Sequence, residues 1–120
     1  MLRLMIVDDS NIIRRKIERC DIHDKFRVVA SAGNGVDAIE QFKKSRPQVI
    51  TMDLTMPGMD GIQCIEKIVG MDPEVRILVI SALSDKVTGI KALQKGARGF
   101  LCKPFSDDAL KESLLELTED

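Results

Sequence analysis

The strongest constraint on how this chain can fold is a regular alternation of short apolar runs with segments of helical period. Leu2 to Val7, Val49 to Met52 and Val75 to Ile80 are apolar almost throughout, the pattern of strands covered on both faces. Phe26 to Ala32 and the short Gly99 to Cys102 complete a set of five predicted strands. Between and after them, apolar residues recur at helical spacing. Ile13, Ile17 and Cys20 mark a first helix, which Ser10 or Asn11 can cap. Val36, Ile39 and Phe42 mark a second, which must end near Ser45 because Arg46 precedes Pro47. Ile62, Ile65, Ile68 and Val69 carry a third. Val87, Ile90 and Leu93 carry a fourth, closed by Gly96, and Leu110, Leu114 and Leu117 a fifth after Ser106. Strict alternation of this kind predicts an α/β fold, a doubly wound five-stranded parallel sheet with five helices.

A length of 120 residues fits one domain, 1–120, and 44% apolar content is enough for one core. Lys plus Arg total 18 against 19 for Asp plus Glu. That balance offers no basic footprint, so no nucleic-acid partner is expected. Arg14, Arg15 and Lys16 read as the solvated face of the first helix. The apolar N-terminus meets Asp8 and Asp9 at once, too short for a membrane span or a signal peptide, so the expected location is cytoplasmic without membrane insertion. Cys20, Cys64 and Cys102 are widely spaced and read as small reduced hydrophobes, and the lone His23 reads as a loop residue.

In open α/β sheets, ligands bind beyond the carboxyl ends of the strands. Those ends carry the chemistry here: Asp8 and Asp9 after the first strand, Asp53 after the third, Ser81 after the fourth, Lys103 after the fifth. Each alone has an ordinary explanation as a cap, a turn or a solvated loop residue. Together they predict three carboxylates in one crevice, which repel unless a cation lies among them. A hard divalent ion, with a lysine and a hydroxyl facing whatever anion it attracts, supplies the electrostatic parts of phosphoryl transfer.

Four motifs in order carry a family resemblance over essentially the whole chain. They are Ile6-Val7-Asp8-Asp9-Ser10, the run Met52-Asp53-Leu54-Thr55-Met56-Pro57-Gly58-Met59-Asp60-Gly61, Ser81-Ala82, and Gly96-Ala97 followed by Lys103-Pro104-Phe105. The chain resembles the receiver domains of two-component response regulators, of the CheY-like chemotaxis type. That resemblance implies strand order 2-1-3-4-5 and assigns roles. Asp53 would be the phosphoacceptor. Asp8, Asp9, Asp53 and the backbone carbonyl of Thr55 would hold Mg²⁺ (or Mn²⁺), Asp8 largely through water. Lys103 would pair with phosphoryl oxygens across a cis Lys103-Pro104 bond. Ser81 and Phe100 would be switch residues, and Phe105 would simply pack in the core.

The resemblance further implies a sensor histidine kinase or phosphotransfer protein as donor. A downstream protein target would bind the face of the fourth helix, fifth strand and fifth helix, with Lys86, Ile90, Lys91, Gln94, Lys95, Phe100, Lys111 and Asp108. It implies a monomer, with a phosphorylation-linked dimer as the alternative, and no conventional turnover beyond the domain's own phosphorylation and dephosphorylation. A stand-alone motility regulator is the first expectation. A phosphorelay intermediate, a phosphate sink, or a receiver cut from a longer regulator are the alternatives. By the same resemblance, Thr55 and Leu83 would occupy positions that influence water access to the phosphate. Apolar Leu83 cannot orient an attacking water, so slow self-dephosphorylation is expected.

Three rival readings are weaker. Gly33-Asn34-Gly35-Val36-Asp37-Ala38 matches a dinucleotide-binding G-x-G-x-x-A turn, with Asp53 where a ribose-binding acid could stand. It lacks a second mononucleotide half and leaves Asp8, Asp9, Ser81 and Lys103 unexplained. A phosphatase of the haloacid dehalogenase type would need a second carboxylate where Thr55 stands. An adaptor with a decayed site would not be expected to keep every polar group.

Overall fold

In the computed structural model, which describes residues 1–82 and 86–119, strands and helices alternate without exception. The strands are β1 (Leu2–Val7), β2 (Phe26–Ala32), β3 (Val49–Met52), β4 (Arg76–Ala82) and β5 (Gly99–Lys103). The helices are α1 (Asn11–Arg19), α2 (Gly35–Ser45), α3 (Gly61–Met71), α4 (Lys86–Gln94) and α5 (Asp107–Leu117). All strand pairings are parallel, in the order β2-β1-β3-β4-β5, as the resemblance implies. Leu83, on which the expectation of slow dephosphorylation rests, lies outside the described residues.

Alternate strand residues feed two cores, one on each sheet face. Leu4, Ile6, Leu78 and Ile80 pack with Ile17 of α1 and Leu110, Leu114 and Leu117 of α5. Met5, Val7, Ile50, Met52, Ile77 and Val79 pack with Phe42 of α2, Cys64, Ile65 and Ile68 of α3, and Ala92 of α4. A strand buried on both faces is apolar at most positions, which is why β1, β3 and β4 were legible as nearly continuous runs.

Local signals set the helix starts. Ser10, not Asn11, caps α1, accepting from the amide of Ile13. Asn34 caps α2 and Ser106 caps α5, while Asp60 and Gln63 form a reciprocal capping box at α3. Phe105 is buried as expected, and burial pushes the Cys64 thiol up to about 12, so it remains a protonated core side chain.

Two stripes differ from the sequence reading. On α2, Val36 is exposed, and Gly35, Ala38 and Phe42 form the buried face. On α4, Val87, Ile90 and Leu93 are 70%, 57% and 45% exposed, while Gly89 and Ala92 face the sheet. On α4 small residues let the backbone approach the sheet and the larger apolar residues are turned away, whereas α2 still buries Phe42 beside its small residues.

Thr51 is the one buried side-chain polar atom without a hydrogen-bond partner among the described residues. It sits in β3 between Ile6 and Leu78, facing the α1/α5 core. A buried hydroxyl that lost its water and gained nothing is costly, and valine has nearly the same shape. Thr51→Val should therefore raise stability by about 1 kcal/mol, read as a higher urea midpoint with an unchanged slope.

Candidate functional site

The acidic site is a product of the sheet order. β1 and β3 are neighbours, and their ladders run on past the strand ends: the Asp8 amide donates to the Ala32 carbonyl (3.1 Å), and the Asp53 amide to the Val7 carbonyl (2.9 Å). Asp8 and Asp53 thus leave adjacent strands at the same height, both buried, at 1% and 3% exposure. Asp9, next in the chain, is exposed. Carboxylate oxygens of Asp8, Asp9 and Asp53 all lie within 4.8 Å of one another, as the sequence predicted. Thr55 follows in the loop after β3, its amide 3.3 Å from Asp53 Oδ1.

Lys103 reaches the same point from the last strand. Its Nζ lies 2.9 Å from Asp8 Oδ2 and 3.6 Å from Asp53 Oδ1. The Lys103-Pro104 bond is cis, as expected. Asp8 is fixed at its other oxygen too, where Oδ1 accepts from the Ser10 amide at 2.9 Å. Ser81 is buried in β4 and paired in register with Cys102; Met52 pairs with Val79, so Ser81 stands one residue above the level of Asp53. Phe100 is half-buried in β5, its ring laid over Gly89, where an added Cβ would come within 2.3 Å of Cε2.

Electrostatics mark Asp53 as the strained member. Burial first, then the charge of Asp8, raise its pKa from 3.8 to about 6, against the opposing pull of Lys103. Burial works against the charge on Lys103, but its hydrogen bond to Asp8 and the charges of Asp8, Asp53 and Asp9 outweigh this, and its pKa is raised. The donor set fits a hard divalent cation: every ligand atom is an oxygen, Asp9 keeps one side open to water, and added positive charge relieves the repulsion at Asp53.

The basic run on α1 is only partly the solvated face that was expected. Arg15 is exposed, but Arg14 and Lys16 are half-buried. Arg14 donates to the Asp8 carbonyl and to Asn11 Oδ1, and Lys16 donates to the Phe105 carbonyl with its Nζ 4.5 Å above that ring. Nothing in the local pattern distinguishes these two from Arg15; only the fold brings a carbonyl within their reach. The glycine motif serves packing as well. An added Cβ on Gly33 would meet the Arg14 guanidinium at 3.1 Å, and one on Gly35 would meet Met59 at 2.8 Å.

A doubly wound sheet with three carboxylates and a lysine at its carboxyl edge defines a class, and the family comparison agrees. Residues 4–115 match the response regulator receiver domain, and the chain belongs to that family. Among its relatives, the chemotaxis protein CheY of Bacillus subtilis is 40% identical over 112 residues, 93% of each chain. CheY of Listeria monocytogenes is 37% identical over 114 residues, 95% of this chain and 96% of that one. In structure, the CheX–CheY–BeF₃–Mg²⁺ complex of Borrelia burgdorferi superposes with a TM-score of 0.92 at 28% identity, covering 99% of this chain and 90% of that one. Family membership removes the dinucleotide and dehalogenase readings. No helix among the described residues is long and apolar enough to cross a membrane.

Proposed function

We propose that residues 1–120 are one phosphorylation-switched receiver domain in which Asp53 accepts a phosphoryl group from a histidine kinase or phosphotransfer protein. The observation that carries the reading is the meeting of Asp8, Asp9, Asp53 and Lys103 at one strand edge. Asp53 combines burial, a raised pKa and a cationic neighbour, the environment of a group poised for chemistry. Its carboxylate oxygen forms a bond to phosphorus as the donor's phosphorus–nitrogen bond breaks, giving an acyl phosphate. Asp9, Asp53 and the Thr55 carbonyl would hold Mg²⁺, with Asp8 acting through water; Mn²⁺ would suit the same oxygens. When bound, the metal neutralises charge on the transferring group. Lys103, with its Nζ 3.6 Å from Asp53 Oδ1, would exchange a carboxylate oxygen for a phosphoryl oxygen. Ser81 would hydrogen-bond the phosphate, and Phe100 would move with it, shifting an existing equilibrium.

Output would be protein binding at α4, β5 and α5. Supporting this, α4 exposes Ile90 and Leu93 beside Phe100 around an open groove of about 330 Å³, rimmed by Lys86. Matches to CheY proteins over more than nine-tenths of both chains support a chemotaxis or motility role. The protein would act as a monomer in the cytoplasm. Acetyl phosphate with Mg²⁺ should add one phosphoryl group to the intact mass. Chelation or Asp53→Asn should abolish the gain. A gain that persists in the variant would place the acceptor elsewhere, and no gain in the wild type would leave a binding module.

A further inference from the structure

Arg14 stands apart from the functional reading, yet its guanidinium is built into the acidic edge from three sides. It donates to the backbone carbonyl of Asp8, is steadied by the side chain of Asn11, and lies against Gly33. Gly33 directly follows Ala32, whose carbonyl takes the Asp8 amide, so the two segments run side by side. The carbonyl that Arg14 holds belongs to the peptide joining Asp8 to Asp9. Fixing that peptide fixes where the Asp9 carboxylate leaves the backbone, and Asp9 is the exposed member of the cluster with no strand of its own to hold it.

We infer that Arg14 is a positioning residue for the divalent-cation site: seated against Gly33, it holds the Asp8–Asp9 peptide so that both side chains present oxygens to the ion. The inference rests on the reading of Asp8, Asp9 and Asp53 as a Mg²⁺ site. It departs from simple electrostatics in sign. A cation next to a cation site repels the ion, so removing its charge should tighten binding. Loss of a group that orients the ligands should instead weaken binding, by about 10-fold or more.

With no Trp or Tyr in the sequence, calorimetry is the suitable reading of MgCl₂ affinity, with circular dichroism to confirm that each variant is folded. Arg14→Ala should weaken Mg²⁺ binding about 10-fold in folded protein. Arg14→Lys, which keeps one donor, should fall between that and the wild type. Gly33→Val keeps every charge but crowds the guanidinium off its seat, and it should weaken binding in the same direction. Arg15→Ala, at an exposed neighbour, should bind as the wild type does. Unchanged or tighter binding in folded Arg14→Ala overturns the inference, as does normal binding in Gly33→Val. If the wild type itself binds no Mg²⁺, the metal-site reading falls and this inference with it.

Discussion

Gly61→Val should cost about 3 kcal/mol of stability or more, whereas Gly70→Ala in the same helix should gain up to about 1 kcal/mol. The difference lies in what each missing side chain would meet. A Cβ on Gly61 would come 2.5 Å from the Asp53 carbonyl oxygen and 2.6 Å from Leu54 Cα. Both obstacles are backbone and cannot swing away. The loop carrying Asp53 would have to move, so Mg²⁺ binding should weaken with stability. Gly70 has nothing within 4 Å, and its substitution adds only helix propensity. Urea unfolding of the two variants checks the contrast; similar midpoints would mean that the close approach at the start of α3 is not tight.

In metal-free buffer at pH 7.5, Asp53→Asn should be more stable than the wild type by about 1–2 kcal/mol. A carboxylate whose pKa rises from 3.8 unfolded to about 6 folded has a charged form that the fold disfavours by about 3 kcal/mol. The amide recovers only part of this, because Lys103 loses one partner. The raised pKa means that the folded state holds the proton more tightly. Its contribution to stability is therefore fully present below about pH 4 and lost as pH rises through about 6. The gap between variant and wild type should close toward pH 4, widen between about pH 4 and about pH 6, and level off above that. Excess Mg²⁺ should reverse the order, since an ion at 100 times its Kd adds about 2.7 kcal/mol to the wild type. Thermal unfolding with EDTA and with Mg²⁺ reads both effects, and a wild type more stable than the variant in EDTA would contradict the repulsion argument.

β1, β3 and β4 were readable in the residues because burial on both faces leaves little freedom of composition. A polar group directly after such a run can only emerge at the sheet edge, which is how Asp8, Asp53 and Lys103 could be placed together. Helix faces were less legible. The spacing of Val87, Ile90 and Leu93 reports an apolar stripe but not which way it points, and Gly89 with Ala92 carries little hydrophobic signal although it faces the core. Arg14 was hidden for a different reason: its partner is a backbone carbonyl, and every residue has one.

The pairing of Lys103 with Asp8 joins residues near opposite ends of the chain. Every strand pair is parallel, so each is closed only by a crossover, and β5 can add only to an edge that β4 has already formed. Loop closure of that length is slow, and contacts of high sequence separation are characteristic of slow folding steps. No fragment lacking β5 contains the complete charge cluster. A nascent or partly unfolded chain thus carries an acidic edge without its lysine, and the charge cluster is completed only with the last strand.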